Sequence, residues 1–246
     1  ITGSTTNTSN NMNNNNNTDK YIPSVQALKF IAFIRASGNE SNVSPEVHYK
    51  IADALFSNKK EDRKVLIECT RGLGKSTSVE YAVIYAAVIG EWPGFGYVPF
   101  VAFLGASQEG NVKQFFRNVA NKIEKSKFIS SILSVKRVTD NEIELVNADG
   151  VEMMIVGRGM STNFRGLRSK SGDRPTLVIA DDILSNEVAT SDAIRETIDT
   201  NWYNSVIPAL DPTKHKVIFI GTPIGQKDLL SQIRESGTYR VEKYPL

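Results

Sequence analysis

Two stretches of this chain hold residue types whose spacing suits work on a phosphate. The first is Cys69-Thr70-Arg71-Gly72-Leu73-Gly74-Lys75-Ser76-Thr77. Glycines let a loop turn its N–H groups inward as an anion nest. The start of a following helix adds partial positive charge. Lys75 would reach the β- and γ-phosphates of ATP, and the Ser76 hydroxyl would ligate Mg²⁺. Thr70, Arg71, Gly72, Leu73, Gly74, Lys75, Ser76 and Thr77 are therefore the expected ATP cradle. The P-loop pattern asks for glycine six residues before the lysine, where this chain has Cys69. The plain alternative is a strand–helix turn with an incidental Gly-Lys-Ser. The strand before the loop and the helix after it argue for phosphate binding.

The second stretch is Thr176-Leu177-Val178-Ile179-Ala180-Asp181-Asp182, an apolar run ending in two carboxylates. Ligands bind at the carboxyl ends of parallel strands. There Asp181 would hold Mg²⁺ as a Walker B aspartate does, and Asp182 would orient and polarise the attacking water. A solvated turn after a buried strand is the alternative, since Asp is common in turns. The motif gains weight from following the phosphate loop by about a hundred residues, room for an intervening strand. That insertion marks ATPases that add a catalytic acid beside the Walker B residue.

Two further segments complete the set. Val217-Ile218-Phe219-Ile220 ends in Gly221-Thr222-Pro223, where a hydroxyl would contact the γ-phosphate or its water; a Gly-Pro turn is the alternative. Residues 157–170, Gly157-Arg158-Gly159-Met160-Ser161-Thr162-Asn163-Phe164-Arg165-Gly166-Leu167-Arg168-Ser169-Lys170, form a Gly-flanked basic loop with Arg174 close behind. Such a loop suits phosphate contact, with DNA or with a neighbour's ATP as an arginine finger; a solvated basic loop is the alternative. Because the loop leads into the acidic strand, it is expected to emerge near the ATP site.

These residues need a scaffold, and the pattern supplies one. Strands are expected at 65–68, 100–104, 143–146, 151–155, 176–180, 216–220 and 239–242, with Asp149-Gly150 marking a hairpin. Helices are expected at 24–36, from Ser44 with Pro45 in its first turn to about Phe56, at 76–89, 108–125, 191–206 and 228–234. The fold class is α/β: an ASCE, RecA-like P-loop NTPase with a mostly parallel central sheet flanked by helices, plus a small N-terminal helical segment. The organisation reads as an Asn-rich, disordered tail over 1–19, a helical segment over 20–60 serving as lid or partner contact, and an ATPase core over 61–246.

Composition sets the outer limits. The chain has 246 residues, 40% hydrophobic and 23% charged, with a net charge of +2, as in an ordinary globular protein whose basic surface must be local. Cys69 stands alone, so no internal disulfide forms. The most apolar stretch, 79–89, falls short of the roughly 20 residues of a membrane span, and no membrane partner is expected. The N-terminus lacks the charged and apolar regions of a secretory signal.

On four segments in order the chain resembles the ATPase domain of the tailed-phage large terminase subunit: Thr70–Ser76, Phe164-Arg165-Gly166, Val178–Asp182 and Ile220-Gly221-Thr222-Pro223. An arginine inside the phosphate loop, as at Arg71, and an Arg-Gly pair before the acidic strand are habits of that family. The likeness covers about residues 40–246. It implies a virus-encoded ATPase in the host cytoplasm that drives double-stranded DNA into a procapsid. It also implies a homo-oligomeric ring, usually of five subunits, on a portal protein, with a small terminase subunit as partner and a monomer in isolation. Thr222 would lie in the coupling motif, and Arg165 or Arg168 would act on a neighbour's ATP. The family's catalytic acid is usually Glu, where this chain has Asp182; Glu187 is the less favoured substitute. No adenine-reading Gln is obvious before the phosphate loop, and His48 sits near its place. Full large terminases continue into a nuclease domain, whereas this sequence stops at Leu246. Two other readings stand beside this one. A superfamily-2 helicase would want Asp-Glu-x-Asp/His after the strand, and a nucleotide-binding scaffold would lack turnover.

Overall fold

The structure is a computed structural model describing residues 20–57, 59–162, 164–184, 191–225 and 228–245. The tail expected at 1–19, and Asn163 and Glu187, lie outside the described residues.

The chain opens with α1 (Val25–Ser37), whose N–H groups are capped by the Ser24 hydroxyl and which ends at Gly38. α2 (Glu46–Leu55) follows, with Pro45 standing just before its first turn. β1 (Lys64–Cys69) runs into the glycine loop and α3 (Lys75–Ile89). β2 (Phe100–Gly105), α4 (Lys113–Lys125) and a short α5 (Lys127–Ser130) come next. Then β3 (Leu133–Val138), β4 (Glu142–Asn147) and β5 (Glu152–Gly159) form a meander. β6 (Leu177–Asp181) carries the carboxylates. α6 (Asp192–Asn201) widens into a π turn over Trp202–Val206 and continues through Ile207–Ala209. β7 (Lys216–Gly221), α7 (Leu229–Glu235) and β8 (Arg240–Tyr244) close the fold.

The eight strands form one sheet in the order β3-β4-β5-β2-β6-β7-β1-β8. Every pairing from β5 to β8 is parallel, and the β3–β4–β5 meander is antiparallel. Side chains alternate between two cores, as a two-period strand requires. Val65, Ile67, Ile179 and Ile218 face the core under α1–α4, while Leu66, Val178, Ala180 and Phe219 face the one under α6 and α7. α1 and α2 pack on α3 through Phe30, Phe56 and Tyr85, whose rings lie 5.1–5.9 Å apart. Among the described residues no helix is long and apolar enough to cross a membrane.

One point differs from the sequence reading. β3 was not expected: its run Leu-Ser-Val-Lys-Arg-Val buries a single residue, because it is an edge strand with solvent on most of its surface. As expected, strands intervene in sequence between the two phosphate motifs; the sheet order adds where they lie. β2 to β5 lie beyond β6, and β7 fills the slot between β6 and β1.

β5 passes so close to α4 that a Cβ at Gly157 would come within 2.4 Å of the Phe116 ring and 2.5 Å of Val112. Neither can withdraw, since both are fully buried. Gly157→Ala is therefore expected to cost about 1–3 kcal/mol, read from the midpoint of a urea titration.

Candidate active site

The parallel strands bring three loops to one edge of the sheet. At the end of β1, Gly72 and Gly74 take φ of 86° and 69°, values open to glycine at little cost, and Gly74 starts α3. The His48 ring lies on this loop: its Nε2 is 3.0 Å from where a Gly74 Cβ would stand, and it bonds the Leu73 backbone. Burial lowers the pKa of His48, against the Leu73 backbone bond that raises it. On that side of the loop a cavity of about 340 Å³ opens between Gly72–Gly74 and Thr77 and the residues Asn42, Pro45 and His48. Arg71 lies exposed on the loop. Cys69, at the usual glycine position, is buried, and that burial pushes its thiol pKa up to about 11.

Lys75 is buried, with 6% exposure. Its Nζ donates to Thr222 Oγ1 at 2.8 Å and lies 3.6 Å from Asp182 Oδ2. Asp182 Oδ1 accepts the Thr222 N–H at 3.1 Å, and the Asp182 N–H donates to the Ile220 carbonyl. Lys75, Asp182 and Thr222, from three strand ends, thus form a closed triangle in which Thr222 offers its hydroxyl to the lysine and its N–H to the carboxylate. Asp182 is also the only non-glycine residue with a positive φ, 47°, among those described. Backbone held in that region is tolerated best by Asp and Asn, and it often marks a working site.

The two carboxylates sit in opposite environments. Asp182 keeps 34% of its side chain exposed, open to water. Asp181 is buried, and its Oδ1 has no hydrogen-bond partner. Burial pushes its pKa up to about 7; the Ser76 hydroxyl opposes this and the Asp182 charge adds to it. An orphaned, buried carboxylate oxygen beside a hydroxyl fits a hard divalent cation such as Mg²⁺, with Ser76 and Asp181 as the protein groups that would hold it. Among the described residues no cluster of three or more His, Cys, Asp or Glu side chains could hold a metal ion. Mg²⁺ needs none, since it binds through one or two protein groups, substrate phosphates and water.

A cavity of about 410 Å³ extends from Ser76 and Asp181 to Glu80 and α4. Glu80 Oε1 accepts from Asn118 at 2.6 Å, and Lys122 stands 3.3 Å from its other oxygen. The sequence reading missed Glu80, although it sits one helical turn after Ser76 and so shares its face.

The structure gathers Lys75, Ser76, Asp181, Asp182 and Thr222 and leaves the arginine loop elsewhere. Arg165, Arg168 and Arg174 line a cavity of about 260 Å³ with Pro208 and Ala209, at the far end of the helix that follows Asp182. The loop leaves parallel β5 at Gly159, on the rim that carries Asp181, so the expectation that it emerges near the ATP site fits its start but not Arg165–Arg174. The loop enters β6 at Leu177, the end opposite Asp181, where Arg174 donates to the Pro208 carbonyl and the Asp211 N–H to the Pro175 carbonyl.

The buried Asp181 predicts a pH-dependent stability cost. Its folded pKa, about 7, lies above the ordinary 3.8, so the folded state binds the proton more tightly. This group favours folding fully below about pH 4, and the benefit is lost as pH rises through 7. Asp181→Asn is expected to raise the melting temperature of the nucleotide-free protein at pH 8 by roughly 4–8 °C, for a gain of about 2 kcal/mol. The gain should vanish near pH 4; an equal gain at both pH values would rule out this origin.

No family model and no curated protein sequence matches the chain. Solved structures do. The large terminase of bacteriophage HK97 superposes with a TM-score of 0.58 at 13% identity over 88% of this chain. The match spans 43% of that protein, less than half its length. The large terminase ATPase domain of Thermus phage P74-26 superposes with a TM-score of 0.54 at 14% identity, covering 92% of this chain and 86% of that one. In fold, this chain is similar to the ATPase domains of phage large terminases.

Proposed function

We propose that this chain hydrolyses ATP at the Lys75–Asp182–Thr222 triangle and uses the energy to move double-stranded DNA, as the motor domain of a large terminase. The observation that carries this reading is the triangle itself, in which Lys75, Asp182 and Thr222 of three separate motifs are joined by contacts of 2.8–3.6 Å. The fold similarity supports the same reading.

The phosphates would lie on the N–H groups of Thr70–Thr77, with the nucleoside extending into the cavity beside His48. Lys75 would leave Thr222 and Asp182 to meet the β- and γ-phosphates, where its charge opposes the negative charge that builds up in the transition state. Asp182, now without its cation and open to solvent, would accept a proton from the water that attacks the γ-phosphorus as the bond to the β-phosphate oxygen breaks. Thr222 would lose the same cation contact, so β7 would register whether nucleotide is present. Bound at Ser76 and Asp181, Mg²⁺ would neutralise phosphate charge. DNA, a portal protein, a small subunit and a ring of copies of this chain are the partners this reading implies. Arg165 is exposed and lies away from its own phosphate loop, which supports action on a neighbour's nucleotide.

Lys75→Ala is expected to lower ATP turnover by about 10²–10³-fold or more, and retention of half the wild-type rate would end the P-loop assignment. Asp182→Asn should stop hydrolysis yet leave calorimetric ATP–Mg²⁺ binding within a few-fold, whereas Asp181→Asn should weaken the Mg²⁺ dependence. The opposite pattern would swap the two roles.

A trans-acting arginine is worth ~10³–10⁵ in rate where such fingers operate. Turnover per subunit should therefore rise with protein concentration. A mixture of Arg165→Ala and Lys75→Ala subunits should also recover activity that neither has alone. No recovery under conditions where wild type assembles would remove Arg165 from the mechanism; the same experiment with Arg168→Ala tests the second candidate.

A further inference from the structure

Glu68 is an oddity in β1. Its neighbours Val65, Leu66, Ile67 and Cys69 are all buried and apolar, yet its carboxylate is also buried, with 6% exposure. It shares a face with Leu66 and so points under α7. There Arg234 Nη1 donates to Glu68 Oε1 at 2.6 Å, with Lys243 3.8 Å from the other oxygen. Arg234 Nη2 donates to Ser231 Oγ at 3.0 Å, and Ser231 Oγ donates to the Gly225 carbonyl at 3.0 Å. Asp228 completes the chain: its Oδ2 accepts the Ile224 and Gly225 N–H groups at 2.9 Å, and its Oδ1 accepts the Ser231 N–H at 2.8 Å. Asp228 and Ser231 are 3% and 1% exposed.

The two ends of this partly buried relay lie close along the chain to the phosphate loop and to Thr222. Glu68 stands two residues before Thr70, and Ile224 two residues after Thr222. Glu68 is buried while Arg234 keeps 28% of its side chain exposed, so the cost of desolvation falls on the carboxylate, and a well-packed apolar residue there would often stabilise a fold as well or better. Stability therefore does not account for the pair. A guanidinium offers fixed geometry, since its planar fork holds two acceptors at set angles. We infer that Glu68 and Arg234 are positioning residues which, through Ser231, hold the Thr222 loop in register with the phosphate loop. This rests on the reading of the triangle as an ATP-hydrolysing site.

The test is steady-state ATP turnover of the full chain with substitutions along the relay. Arg234→Gln is expected to lower kcat about tenfold with KM within about twofold, because the phosphate loop still grips ATP. Arg234→Lys should recover part of the rate, keeping the charge but not the fork. Ser231→Ala, which leaves ion pair and packing in place, should also lower kcat. The Glu68→Gln/Arg234→Gln double variant should be no slower than the worse single one, as expected for members of one unit. Folded Arg234→Gln and Ser231→Ala proteins with wild-type kcat would overturn the inference, as would losses of kcat that merely follow the fraction folded. If Arg234→Gln does not fold, Ser231→Ala decides alone. Wild type without turnover would sink the hydrolysis reading and this inference together, a result distinct from an active wild type whose variants match it.

Discussion

A buried ammonium group organises this molecule. Lys75 sits at the first turn of α3 with its charge removed from water, and such a charge is tolerated only where partners are held in place for it. Those partners are Thr222 and Asp182, from two other strand ends. Three connections that are far apart in sequence must therefore end within one hydrogen bond of each other. The parallel sheet, the tight glycine turn and the left-handed backbone at Asp182 all serve that requirement. Without nucleotide the cation is satisfied by protein. A bound triphosphate would compete for it, so binding and rearrangement of the edge would be one exchange of partners.

Strand order makes this exchange consequential. β7 pairs with β1 on one side and β6 on the other, with Ile220 opposite both Ile67 and Asp181. Thr222 is thus flanked by the phosphate loop and the carboxylates through backbone pairing. The partly buried relay from Glu68 to Gly225 ties the same region together on the α7 side of the sheet. The edge is braced twice, by the ladder and by side chains, which suits a site whose parts must not drift while a ligand changes their charges.

Much of this could be read in the residues before any coordinates. The strand–loop–helix context around Lys75, the apolar run into Asp181-Asp182 and the Gly-Thr-Pro after β7 each carry local signals, and the structure brings them together. What escaped depends on long-range pairing. β3 shows almost no alternation because an edge strand buries little. Placing β7 between the motif strands needs topology, which residue patterns do not encode. The arginine loop starts at the carboxylate rim, where β5 ends, but it leads into the beginning of β6, and Arg165–Arg174 lie on that later part. Glu68 did leave a trace, a charge in an otherwise apolar strand, but Arg234 as its partner is visible only once α7 is folded over β1.

The meander at the other side of the sheet has a practical consequence. β4 and β5 meet in a tight turn at Asp149-Gly150, where Gly150 has φ of 80° and open space around it. β5 runs parallel to the motif strands, so this tip lies at the opposite rim from the triangle. Exposed loop tips of this kind accept added sequence best. A fluorophore, an affinity tag or a whole reporter domain grafted at Gly150 would thus sit away from the Lys75–Asp182–Thr222 rim, giving the fold a natural handle that leaves that rim untouched.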